Sequence, residues 1–106
     1  MEFSKQDWAL FRKMIASWQE AYMGRLNQEY MDILSGEGNP SDKFSLLEKR
    51  INQDKRCRGV VIKMQKQNLA FDLAALINDG VITFADIEEF SNETKEIVKH
   101  LCNMHL

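Results

Sequence analysis

One proline and five glycines in 106 residues are too few for the frequent reversals of an all-β chain, because tight turns draw on those residues for backbone angles that others avoid. Two cysteines, Cys57 and Cys102, do not make a disulfide framework, and reduced thiols fit the cytoplasm. No apolar run approaches the ~20 residues a membrane-spanning helix needs. The opening Met-Glu-Phe-Ser-Lys-Gln-Asp is not the basic-then-apolar pattern of a secretory leader. A cytoplasmic location is therefore expected. What is present, 44% hydrophobic and 28% charged residues, is the ordinary make-up of one soluble domain spanning residues 1–106 with its own core.

Hydrophobic spacing predicts four helices. Ser4 caps the first, Asp7 stands three residues on, and Phe3 and Trp8 occupy the two positions of a hydrophobic staple. Trp8, Phe11, Ile15, Trp18 and Tyr22 then recur in steps of three and four, the seam of an amphipathic helix. The seam shifts phase near Gly24, where a bend is expected, and continues through Leu26, Tyr30, Ile33 and Leu34 to a stop at Ser35-Gly36, with Gly36 as the left-handed terminal residue. Asn39-Pro40 reads as cap and first residue of a second helix carrying Phe44, Leu47 and Ile51 on one face. A third helix is predicted from near Val60 to Asp79, with Leu69, Leu73, Leu76 and Ile77 inward, closed by Gly80 and Val81. Thr83 and Asp86 form a capping box for the fourth, with Ile87, Phe90, Thr94, Ile97, Leu101 and Met104 in helical steps and a kink at Ser91. The expected architecture is an all-α, four-helix antiparallel bundle with a long first helix.

The motifs of chemistry fail on position. Aligning Gly80 with the invariant glycine of a calcium loop puts Ala75 and Ile77 at ligand positions, and neither has a side-chain oxygen. His100, Cys102 and His105, with Cys57, suggest a metal, but only Cys102 and His105 share a helical spacing. Gly36-Glu37-Gly38 lacks the Lys-Ser/Thr of a phosphate loop. Asp86, Glu88, Glu89 and Glu93 cluster where a helix start favours negative charge. No catalytic residue, metal site or cofactor is assigned, and an enzyme is not expected.

Charge is segregated. Residues 43–66 hold eight bases and two acids, residues 1–42 four bases and seven acids, and residues 67–106 two bases and seven acids. Lys49, Arg50, Lys55, Arg56, Arg58, Lys63 and Lys66 are accordingly the candidate anion- or partner-binding residues. The competing structural reading is that they balance helix ends and acidic neighbours, with Asp54 and Arg58 at the spacing of a stabilising pair. Phosphate binding at this corner between helices two and three would draw on such a patch. Against nucleic acid, the segment lacks interleaved aromatics and a base-reading helix. Trp8, Phe11, Trp18, Tyr22 and Tyr30 are either core or a surface for a second copy of the chain. The acid-rich polar face of the first helix does not suit a membrane surface.

The run Trp18-Gln19-Glu20-Ala21-Tyr22-Met23, then Glu29-Tyr30, Leu34-Ser35-Gly36, Ser41-Asp42-Lys43-Phe44, Leu47-Glu48-Lys49-Arg50-Ile51, Asp54-Lys55, Gly59-Val60 and Gly80-Val81-Ile82, resembles small uncharacterised bacterial proteins of about this length. The resemblance covers most of the chain and implies no activity. The label "multidrug transporter" that such relatives sometimes bear does not transfer, since nothing here spans a bilayer. The expectation is a bacterial, non-enzymatic interaction or regulatory module that contacts a protein partner or a second copy of itself. Nucleic-acid binding at residues 43–66 is the alternative.

Overall fold

A computed structural model describes residues 2–103. Among them are four α-helices and no strand: α1 (Lys5–Ser35), α2 (Pro40–Asp54), α3 (Leu69–Asn78) and α4 (Asn92–Asn103). The chain is all-α, as its hydrophobic spacing predicts. The four helices do not share one core, however. The buried cluster is built by Phe11, Ile15 and Trp18 of α1, Leu69, Leu73 and Leu76 of α3, Val98 of α4 and the segment between α3 and α4, with no residue of α2. Truncating a side chain as enclosed as Phe11 typically costs about 3–5 kcal/mol.

Ser4 Oγ accepts the Asp7 N–H at 3.0 Å and starts α1. The helix runs unbroken through Gly24, the expected place of a bend, so the phase shift in the seam is absorbed within one helix. At 1.5 Å per residue α1 is about 46 Å long, and it sets the 52 Å long dimension of a molecule otherwise 29 × 22 Å. Its radius of gyration of 16.3 Å exceeds the roughly 13 Å of a compact chain this size. The excess is an arm: the second half of α1 with α2 folded back along it.

Three boundaries differ from the sequence reading, each for a local reason. Gly36 is extended (φ −73°, ψ −179°), and only Gly38 and Gly80 take positive φ among the described residues. Residues 60–65 are irregular and α3 begins at Leu69 after a short 3₁₀ turn, Lys66–Asn68. The β-branched run Val60-Val61-Ile62 disfavours helix, while the N–H groups of Val60 and Val61 both bond the Cys57 carbonyl in a turn. The Thr83–Asp86 box does form, with Asp86 Oδ2 accepting the Thr83 N–H at 2.7 Å, but it caps a 3₁₀ turn, Phe84–Ile87. α4 restarts at Asn92 because Ser91, the expected kink, caps it: Ser91 Oγ accepts the Thr94 N–H at 3.3 Å. Met104, placed on the α4 seam by its spacing, lies outside the described residues.

The α3 terminus behaves as the sequence implies. Gly80 (φ 74°) lets the Val81 N–H reach back to the Leu76 carbonyl at 2.9 Å and its own N–H to Ile77 at 3.0 Å, the double bond of a Schellman end. Val81 is buried beneath it. Arg25 of α1 donates to the carbonyls of Gly80 and Val81, both at 3.0 Å, tying this end to the root of the arm.

Candidate functional site

Helix α2 is amphipathic with its polarity reversed. Its half-buried residues are Lys43, Leu47, Arg50 and Asp54, one stripe of which three members are charged. That stripe is held to α1 by polar contacts. Lys43 Nζ donates to the Leu34 carbonyl at 3.1 Å, Arg50 Nη2 to Glu29 Oε1 at 3.2 Å, and Tyr30 Oη to Asp54 Oδ2 at 2.6 Å. Arg50 also lies 3.6 Å from Asp54, and its guanidinium carbon stands 5.8 Å from the Tyr30 ring centre. Burial and the bond to Asp54 push the Tyr30 hydroxyl up to about 12, so it stays a donor.

Apart from half-buried Leu47, the apolar residues of α2 are left outside. Phe44 is 71% exposed and Ile51 41%, and Leu46, Met31 and Leu34 are about half exposed or more. The Phe44–Leu47–Ile51 stripe read from the sequence is real, but no residue of α2 is buried. A 15-residue helix whose covered face is mostly polar is marginal in water. Ile51 separates two hollows. One, of about 250 Å³, is floored by Phe44, Leu47, Glu48 and Asn52. The other, of about 320 Å³, lies between the helices and is lined by Met23, Leu26, Tyr30, Lys55 and Val60. This face of the arm, on which Phe44 and Ile51 alternate with Glu48 and Lys55, is the candidate site.

The basic residues are divided rather than pooled. Arg50 is committed to Glu29 and Asp54. Arg58 does not pair with Asp54, as the spacing suggests, because α2 ends at Asp54 and Arg58 lies beyond the helix. Its Nε bonds Asp72 Oδ1 at 2.8 Å. Burial raises the Asp72 carboxyl against the opposing pull of Arg58, and Asp72 Oδ2 has no hydrogen-bond partner among the described residues. Lys49, Lys55, Arg56 and Lys63 are exposed and Lys66 half-buried, none in an ion pair among the described residues.

The aromatic seam is likewise divided. Phe11 and Trp18 are buried in the chain's own core, with Trp8 and Tyr22 half-buried against it. The Trp8 and Phe11 rings are stacked at 6.0 Å, and Phe11 and Trp18 are tilted at 6.3 Å. Only Tyr30, beyond the core, belongs to the arm. Sequence reasoning singled out Tyr30 and placed Phe44 and Ile51 on one face, but missed that this face is open. The signal was there: a stripe of Lys43, Arg50 and Asp54 has partners on α1 only if the apolar stripe faces elsewhere.

The thiols sit in quiet settings. Cys57 Sγ accepts the Gly59 N–H at 3.3 Å and lies 3.5 Å from Asp79 Oδ2 and 3.9 Å from Tyr22 Oη. Burial, more than the opposing Gly59 bond, pushes this thiol up, and the Tyr22 hydroxyl beside it is pushed up to about 12. Cys102 is half-buried with Sγ 3.8 Å from the Ala74 carbonyl, and burial raises it too. A protonated thiol is a poor nucleophile and metal ligand. No three His, Cys, Asp or Glu side chains converge among the described residues, and His105, from the metal reading, lies outside them. No described helix is long and apolar enough to cross a membrane. No protein-family model matches the chain, and no curated protein and no solved structure is significantly similar to it.

Proposed function

We propose that this chain is a non-enzymatic protein-interaction module of the cytoplasm, and that it binds through the exposed face of its α1–α2 arm. One observation carries the reading: no residue of α2 is fully buried, and Phe44 and Ile51 stand in solvent at 71% and 41% exposure. Soluble chains rarely display contiguous apolar surface without a partner for it, and an amphipathic hairpin is a common docking element.

Site-specific photocrosslinking tests it. A photoreactive residue at position 44 should yield discrete protein adducts in cells, and one at exposed Lys13 should not. Equal, diffuse labelling at both positions would remove the arm as a docking surface. Nucleic-acid binding is the competing reading, and the commitment of Arg50 and Arg58 to internal carboxylates counts against it. Fluorescence anisotropy with duplex DNA between about 50 and 200 mM salt decides it, because phosphate-driven binding falls steeply over that range. Salt-sensitive binding lost on reversing Lys55 and Arg56 would make the basic corner the site.

A further inference from the structure

We propose that the occupant of the arm is a second copy of the chain, paired about a two-fold axis that passes beside Ile51; this rests on the reading of the arm as a docking surface. An isologous interface must be self-complementary, each patch meeting itself turned through half a revolution. The face has that property in charge and in shape. At 100° per residue, Phe44, Glu48, Ile51 and Lys55 project within about 60° of one another. Glu48 and Lys55 are both exposed, of opposite sign and placed on either side of Ile51.

Antiparallel pairing of α2 with its copy about a point between Ile51 and Asn52 sets Glu48 of each chain opposite Lys55 of the other, twice over. A parallel arrangement sets like against like. The same rotation carries Phe44, 71% exposed, about 11 Å from the axis and past Lys55 of the other copy. On that C-terminal side of Ile51 lies the hollow lined by Met23, Leu26, Tyr30 and Val60. Each chain thus offers one projecting ring and one apolar hollow, on opposite sides of the axis. The two arms together make a four-helix unit in which the outward stripe of α2 becomes interior, joining two separate three-helix cores.

Sedimentation velocity of the full chain over a wide concentration range tests this, with circular dichroism to confirm that each variant keeps its helices. The wild type should dimerise. Phe44→Asp should weaken the dimer at least tenfold. Glu48→Lys and Lys55→Glu should each weaken it about 3–10-fold, from two lost exposed ion pairs. An equimolar mixture of those two variants should regain dimer, because each then meets its opposite charge. A monomeric wild type, a dimer indifferent to Phe44→Asp, or a mixture without recovery would overturn the proposal. A monomer that still crosslinks to other proteins through position 44 would remove the second copy and leave the docking surface standing.

Discussion

Ser91 gives both its backbone N–H and its hydroxyl to the Asp7 carboxylate, at 3.0 and 2.6 Å, across 84 positions of sequence. Thr94 adds its own hydroxyl to Asp7 Oδ2 at 2.7 Å. Asp7 is only 4% exposed, and it sits in the first turn of α1 and beside the start of α4. One carboxylate thus serves the positive ends of two helices and ties them together. Burial by itself would raise its pKa, but the bonds from Ser91 and Thr94 outweigh it and hold the group below its ordinary value.

Asp7→Ala should therefore destabilise the fold by about 2–3 kcal/mol, since it strands donors at a buried junction. Urea unfolding at neutral pH checks the size. A depressed carboxylate stabilises the native state above its unfolded value of about 3.9, and that contribution is lost as pH falls through the lower folded value. The wild type should lose stability over this acid window more steeply than Asp7→Asn, and parallel pH curves would remove Asp7 as the cause.

What was legible in the sequence follows the strength of the local signal. The cap at Ser4, the Gly80–Val81 terminus and the Thr83–Asp86 box each rest on residues within a few positions of one another, and each formed. Asp7 and Asp72 were legible in principle, because each sits on an apolar stripe, Asp7 four before Phe11 and Asp72 between Leu69 and Leu76. A charge there needs a partner. Which partner was beyond sequence: Ser91 lies at the far end of the chain, and Arg58 reaches Asp72 only because residues 60–65 leave the helix. The arm was hidden for the opposite reason. Phe44, Leu47 and Ile51 at helical spacing share one face in the sequence, and the charged stripe of Lys43, Arg50 and Asp54 that meets α1 turns Phe44 and Ile51 outward.

Asp72 should titrate in the opposite sense to Asp7. Its carboxyl is raised by burial, with the Arg58 bond only partly offsetting that. A raised carboxyl favours the native state most below its unfolded value near 3.9, and this stabilisation is lost as pH rises through the folded value. Asp72→Asn should flatten that part of the stability curve. Arg58→Ala should cost about 1–3 kcal/mol at neutral pH because it leaves a buried charge unpaired, and the double variant should cost less than the two singles added together. Additive losses in thermal unfolding would show that the pair is not coupled.

Cys57 should alkylate slowly. Burial raises the thiol, and the thiolate is the reactive form. In a Cys102→Ser background, iodoacetamide should modify folded protein more slowly than the same chain in urea. The midpoint of the rate–pH profile should lie above the ~8.5 of free cysteine. Faster reaction in the folded state would mean an activated thiol and would reopen the case for chemistry at this corner.

Gly24 and Gly59 should respond to alanine in opposite directions. A Cβ at Gly24 meets nothing within 4 Å, whereas at Gly59 it would run into the Tyr22 ring and fall 2.7 Å from Val81 Cγ2. Gly24 lies inside an unbroken helix at an exposed position, so Gly24→Ala should stabilise by about 0.5–1 kcal/mol through helix propensity alone. Gly59→Ala must displace the Tyr22 ring or Val81, both packed on the core, and should cost about 1–3 kcal/mol. The Tyr22 ring also stands under the Arg25 guanidinium, 5.3 Å from its carbon, and Arg25 in turn holds the carbonyls of Gly80 and Val81. Displacement at Gly59 should therefore loosen the root of the arm before the rest of the core. Amide exchange should show this as lost protection at residues 80–82 in Gly59→Ala, with Leu73 and Val98 protected as in the wild type. Uniform loss across both regions would mean that the root of the arm and the core unfold as one unit.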